Sequence, residues 1–144
     1  MGVKGMTLSD GDAVVSMAVV KPGDKLLTVS ENGYGKISEV DDYRKTKRGG
    51  KGVITIKTDE RNGKVVSVRK VDTGDELMLQ SKSGKIIRMQ TDSIRETGRN
   101  AKGVRIMDMR DGDKIIAVEP VMADDAEPED PEIQPEEVQE EQKQ

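Results

Sequence analysis

Nine consecutive residues, Arg44-Lys45-Thr46-Lys47-Arg48-Gly49-Gly50-Lys51-Gly52, carry five cations and no acid. Residues of this kind cannot break a bond unaided, but they can hold an anion. Lys and Arg neutralise its charge, and glycines let backbone N–H groups approach it closely. A second loop, Arg95-Glu96-Thr97-Gly98-Arg99-Asn100-Ala101-Lys102-Gly103, follows 51 residues later and keeps Arg99 and Lys102 in register with Arg48 and Lys51. Lys36, Lys82, Lys85, Arg88 and Arg105 lie on or beside neighbouring strand-like segments. A lone basic nonamer reads first as a solvated loop. Repetition of its cations in register points further, to charge spaced along one rim, as a bound polyanion requires. The polyanion this suits is duplex DNA held by its phosphates, which needs positive charge and reach but no base contacts.

Other chemistries have little to work with. The chain has no Cys and no His, so thiolate, imidazole and cysteine-zinc sites are excluded. Absence of Cys fits a cytoplasmic chain. Tyr34 sits between a turn and a glycine, and Tyr43 at a strand-to-loop step; both read as packing rather than nucleophiles. Asp10-Gly11-Asp12 and Asp41-Asp42 read as turn chemistry rather than as a metal site. No cofactor and no catalytic residue is expected. With Tyr34 and Tyr43 the only aromatics, the stacking platforms of single-strand binders are also missing.

The elements that must position the loops are arranged as a repeat. Gly23-Asp24-Lys25-Leu26-Leu27 overlies Gly74-Asp75-Glu76-Leu77-Met78, and the same offset carries Ser30 to Ser81, Gly33 to Gly84 and Lys51-Gly52-Val53 to Lys102-Gly103-Val104. Lys4-Gly5-Met6 opens an incomplete third copy. Short β-branched runs bounded by Gly, Asp and Asn predict strands at Ala13–Val20, Lys25–Ser30, Gly35–Val40, Val53–Thr58, Val65–Val71, Glu76–Ser81, Lys85–Gln90, Val104–Met109 and Lys114–Pro120. Asn32-Gly33, Asn62-Gly63 and Ser83-Gly84 predict hairpin turns, the second joining Val53–Ile56 to Val65–Val68. No segment has a sustained helical period. About four strands per 51-residue unit predicts an all-β fold of propeller-like blades of antiparallel strands, in a partial array. The expected divisions are the end of a preceding blade at 1–22, a blade at 23–73, a terminal blade at 74–122 and an acidic tail at 123–144. With so few aromatics the core must be Val, Ile, Leu and Met, with Met78, Met89 and Met107 filling it.

Charge is divided along the chain. Residues 124–144 hold ten Asp or Glu, three Pro and one Lys; the remainder holds 23 Lys and Arg against 18 Asp and Glu. An acidic, Pro-bearing segment this poor in apolar residues predicts disorder. Tethered beside a basic body, it is also expected to compete with DNA for the rim, so that deleting 124–144 should tighten DNA binding, most at low salt. No apolar run is long enough to cross a bilayer, so no membrane partner is expected.

Glu31-Asn32-Gly33-Tyr34-Gly35-Lys36, Tyr43-Arg44, Arg48-Gly49-Gly50-Lys51-Gly52-Val53 and Gly98-Arg99-Asn100-Ala101-Lys102-Gly103-Val104 together resemble the C-terminal domain of the DNA gyrase A protein. The likeness runs to about Val121, and the acidic tail fits it too. It implies a β-pinwheel whose basic rim bends and wraps duplex DNA, a non-catalytic part of a type IIA topoisomerase that directs strand passage towards negative supercoiling. It also implies the rest of gyrase A and gyrase B as partners. The family's wrapping motif reads Gln-Arg-Arg-Gly-Gly-(Lys/Arg)-Gly; Thr46 and Lys47 depart from it, and the loop's place near the end of the array suits the equivalent loop of a later blade. Lys47, Arg48 and Lys51 are the foremost candidates for phosphate contacts.

Two other readings stand beside this one: the corresponding region of the topoisomerase IV A protein, and a propeller fragment that binds protein through its charged loops. Two and a part blades leave open strand edges. The chain is therefore expected either to self-associate through those edges or to belong to a larger polypeptide.

Overall fold

The computed structural model describes residues 1–121, so the acidic tail lies outside the described residues. Seven strands are present: β1 (Lys25–Ser30), β2 (Tyr34–Glu39), β3 (Val65–Val71), β4 (Glu76–Ser81), β5 (Ile86–Gln90), β6 (Val104–Arg105) and β7 (Ile115–Val121). Single 3-10 turns at Val40–Asp42 and Thr91–Ser93 are the only helical pieces among the described residues.

Two of the three expected hairpins form. β1 runs back along β2 through Glu31-Asn32-Gly33, with Leu27 opposite Ile37, and β4 along β5 through Ser83-Gly84, with Leu79 opposite Ile87. Gly33 and Gly84 both have φ near +90°, a region that L side chains rarely adopt, and each donates its N–H back to the last residue of the preceding strand. The third hairpin does not form. Val53–Thr58 is not a strand, and β3 pairs instead with β1, Val29 opposite Ser67. β7 repeats that arrangement on β4. Each unit thus builds a meander whose last strand returns to the far side of its first.

The sheets are ordered β3-β1-β2-β6 and β5-β4-β7. The fourth strand of the first sheet, β6, comes from the second unit in sequence: Val104 and Arg105 pair with Gly35 and Tyr34. Blades are therefore joined by exchanging a strand. Ala13–Val20, the other segment expected to be a strand, is irregular, with Val14, Val15, Met17 and Val19 exposed. By the repeat it corresponds to β3.

One apolar cluster spans both sheets: Leu27, Val29, Ile37, Val71, Leu77, Leu79, Ile94, Met107, Ile115 and Val118. Aliphatic residues and Met do carry the core, as composition required, with Met107 buried and Met89 packed at its margin. Met78 is 41% exposed, because period-two alternation on β4 turns Leu77 and Leu79 inward and Met78 out. Backbone and ionic contacts add to the joint between units. The Ile115 N–H donates to the Glu31 carbonyl at 2.8 Å, the Thr97 N–H to the Ile37 carbonyl at 2.8 Å, and Lys25 pairs with Glu96 at 2.6 Å.

Candidate nucleic-acid interface

The first basic loop leaves β2 after the Val40–Asp42 turn, and Tyr43 anchors its start by a hydroxyl hydrogen bond with Thr55. Its crest is held by the N-terminal arm. The Gly49 N–H donates to the Gly5 carbonyl and the Thr7 N–H to the Gly50 carbonyl, both at 2.8 Å, while Thr7 Oγ1 donates to the Gly49 carbonyl at 2.6 Å. These bonds correct one expectation: the Gly49 amide already has a carbonyl partner, so it does not belong to an anion cradle. What the loop offers is side-chain charge. Arg44, Lys45, Lys47, Arg48 and Lys51 are all exposed, and none forms an ion pair with a described residue.

The second loop differs in kind. Arg95 projects into solvent, but Arg99 Nη1 donates to the Ile54 carbonyl at 2.9 Å and Lys102 pairs with Asp59 at 3.1 Å. The two cations that the repeat places in register with Arg48 and Lys51 thus tie the second loop to the segment that follows the first. Lys102 remains half exposed, and an exposed pair of this type contributes little, so a phosphate can displace Asp59. Contacts from Lys102 and neighbouring atoms also hold the Asp59 carboxyl below the usual range, the Asn62 N–H first among them.

Lys36 is where the sequence reading fails outright. It is fully buried on β2, and its ammonium donates to the carbonyls of Gly98 (3.2 Å), Ala101 (3.0 Å) and Arg99. Burial pushes its pKa down, and the nearby Arg99 guanidinium lowers it further. A cation enclosed by three carbonyls cannot reach a phosphate; it shapes the second loop instead.

The remaining candidates spread over the second unit. Lys82 is exposed, Lys85 Nζ donates to the Asp108 carbonyl at 2.9 Å, and Arg88 is engaged by Glu76. Arg105 Nη2 donates to the Tyr34 hydroxyl at 2.9 Å and pairs weakly with Asp108 at 3.4 Å. The structure therefore gathers Arg44, Lys45, Lys47, Arg48 and Lys51 on one continuous loop, while Lys85, Arg88 and Arg105 each already engage a carbonyl, carboxylate or hydroxyl.

Two residues that shape this surface escaped the sequence reading. Asn62, read as a turn residue, is wholly buried; its Nδ2 donates to the Lys57 and Lys102 carbonyls at 2.9 Å each. Arg61 lies over the Tyr34 ring, 4.3 Å from its centroid, and reaches the carbonyls of Lys102 and Gly103. Their signal was the Asn-Gly step, but it marks a clamp on the second loop rather than a hairpin.

Among the described residues no cluster of acidic side chains could hold a metal ion, and no helix is long and apolar enough to cross a membrane.

Comparison with known proteins agrees with this architecture. The family described as "DNA gyrase C-terminal domain, beta-propeller" matches residues 1–21, 24–72 and 75–122. The DNA gyrase A protein of Fibrobacter succinogenes is 46% identical over 114 residues, covering 79% of this chain and 13% of that protein. Its counterpart in Haloquadratum walsbyi is 47% identical over 120 residues, covering 82% and 14%. The chain thus spans about one-seventh of the length of these relatives. A solved DNA gyrase A C-terminal domain superposes with a TM-score of 0.77 at 36% identity, over 84% of this chain and 41% of that one. The C-terminal domain of a DNA topoisomerase IV superposes at 0.76 with 23% identity, over 85% and 38%, a likeness of fold alone. By its repeat, its exchanged-strand blades and these matches, the chain belongs to the DNA gyrase C-terminal domain family of β-propellers.

Proposed function

We propose that this chain binds duplex DNA through its phosphates and bends it along the basic rim, as a non-catalytic part of a type IIA topoisomerase in the cytoplasm. The remainder of gyrase A and gyrase B are its working partners, and negative supercoiling by the whole enzyme is the activity it supports. The observation that carries this reading is the loop at 44–51: five exposed cations free of ion pairs among the described residues, on a backbone pinned by Gly5 and Thr7. Cations of this kind give up only hydration and counterions when they meet a phosphate, and counterion release then favours binding.

Membership of the family supports the reading, as does the near absence of aromatic side chains that would favour single strands. The test is ligation of nicked circular DNA in the presence of the chain. Bending into a wrap of one hand shifts the topoisomer distribution after protein removal. Saturating binding with no shift overturns the wrapping claim, and no binding at low salt overturns the whole reading.

A further inference from the structure

A buried cation is out of place at Lys36. Its equivalent 51 positions on is the apolar Ile87 of β5, and burying an ammonium without a carboxylate partner is costly. Here the cost is offset by three backbone carbonyls of the second loop, those of Gly98, Arg99 and Ala101. A neutral amine has too few N–H groups for three acceptors, so the enclosure calls for the charged form. Asp42 favours that charge from a distance.

The enclosure also fixes which way the loop's peptides face. A trans peptide is planar and directs its N–H opposite to its C=O. The Gly98 and Arg99 carbonyls point inward to Lys36, so the N–H groups of Arg99 and Asn100 point outward. They also lie side by side. The Ala101 N–H closes a turn on the Gly98 carbonyl at 3.1 Å, and neither Arg99 nor Asn100 has a positive φ. That combination is a type I turn, whose successive peptides are nearly parallel. The Lys102 N–H is turned outward in the same way by the Ala101 carbonyl. Among the described residues no acceptor meets any of these three N–H groups, and Gly98, Asn100 and Lys102 are exposed.

The first loop is arranged otherwise. Asn100 stands where the repeat puts Gly49, whose N–H is bound to the Gly5 carbonyl. The equivalent of Gly5 is Ile56, which lies within the described residues and accepts nothing from Asn100. Positive charge gathers behind the outward pair. The Lys36 ammonium sits on its carbonyl side, and the Arg99 guanidinium, held by the Ile54 carbonyl, is near enough to act on Lys36. Oriented amides with cations behind them are the elements of an anion site.

We propose that the Arg99 and Asn100 N–H groups bind a phosphate of duplex DNA, one to each of two oxygens, on a loop whose peptides Lys36 orients. The inference rests on the DNA-binding reading above and extends it. Arg99 acts here through its backbone, its guanidinium being engaged elsewhere. Lys36 is a positioning residue beneath the surface and touches no phosphate itself. Contact of this kind carries no base-sequence information.

The test is amide hydrogen exchange in the full chain, read residue by residue by NMR with and without saturating duplex DNA at low salt. In the free chain Arg99 and Asn100 should exchange fast, and Gly49, bonded to Gly5, slowly. With duplex bound, exchange at Arg99 and Asn100 should slow by roughly tenfold or more, as hydrogen bonds to a charged acceptor require. Lys36→Met should remove that protection and weaken duplex affinity, yet leave the salt slope unchanged, because Lys36 neutralises no phosphate. Full protection of both amides in Lys36→Met would overturn the positioning role. Duplex binding by the unaltered chain with Arg99 and Asn100 still exchanging as fast as in the free chain would overturn the site and leave the basic-loop reading standing. No binding at low salt would overturn both.

Discussion

Replacing Lys47, Arg48 and Lys51 together by Gln removes three of the five loop cations and leaves Arg44 and Lys45. All five side chains are exposed without ion partners among the described residues, so the fold should hold. If each cation neutralises one phosphate, the log-log dependence of affinity on salt has a slope of about −4.5 for the intact loop and about −1.8 for the variant. Between about 50 and 200 mM salt, the intact chain then loses roughly 500-fold in affinity and the variant roughly 12-fold. Fluorescence anisotropy with a labelled duplex over that range reads both slopes directly. Phosphate contacts carry no sequence information, so two unrelated duplexes should weaken alike. An unchanged slope in the variant would refute the assignment of the loop, and a loss confined to one duplex sequence would refute phosphate as its target.

Three further outcomes follow from particular contacts. Lys36→Met leaves the Gly98, Arg99 and Ala101 carbonyls without their donor, and should cost about 1–3 kcal/mol in denaturant unfolding; unchanged stability would show that the enclosure is not needed. Gly33→Ala meets both a positive φ and the Met107 carbonyl, whereas Gly84→Ala meets only the φ. The first should lower the melting temperature clearly more than the second, and equal losses would remove the claim of close fit. Hydrogen bonds, those from Ser83 first, hold the Asp113 carboxyl down to about 2. A depressed folded pKa gives stability that is present above the unfolded value near 4 and lost as pH falls through the folded one. Asp113→Asn should therefore flatten the stability profile between about pH 4 and 2, and an unaltered profile would argue against it.

The sequence disclosed most where structure is local. Asn32-Gly33 and Ser83-Gly84 announce tight hairpins because a left-handed φ is needed within two residues of each strand end, and both hairpins form. The 51-residue offset likewise announced the repeat. It misled at Val53–Thr58, a β-branched run with every local mark of a strand. Among the described residues that run pairs with no strand, whereas its equivalent Val104–Arg105 pairs with the sheet of another unit. Exchange between units is a long-range property, and no local pattern carries it.

Charge was legible as charge but not as use. Lys36 and Lys47 look alike as cations in a sequence, yet one is enclosed by carbonyls more than 60 residues away and the other projects into solvent. Arg99 and Lys102 find their partners Ile54 and Asp59 more than 40 residues upstream, so their role in fastening the second loop was hidden by distance. Arg44 to Lys51 could be read because no acid lies within the nonamer, which kept its cations from pairing locally.

The claim that Arg44–Lys51 is the phosphate-binding surface is tested most directly by lysine acetylation with and without saturating duplex DNA, read by mass spectrometry. The account predicts that Lys45, Lys47 and Lys51 react readily in the free chain and are protected in the complex, while buried Lys36 stays unreactive in both. Lys45, Lys47 and Lys51 reacting as fast in the complex as in the free chain would contradict it.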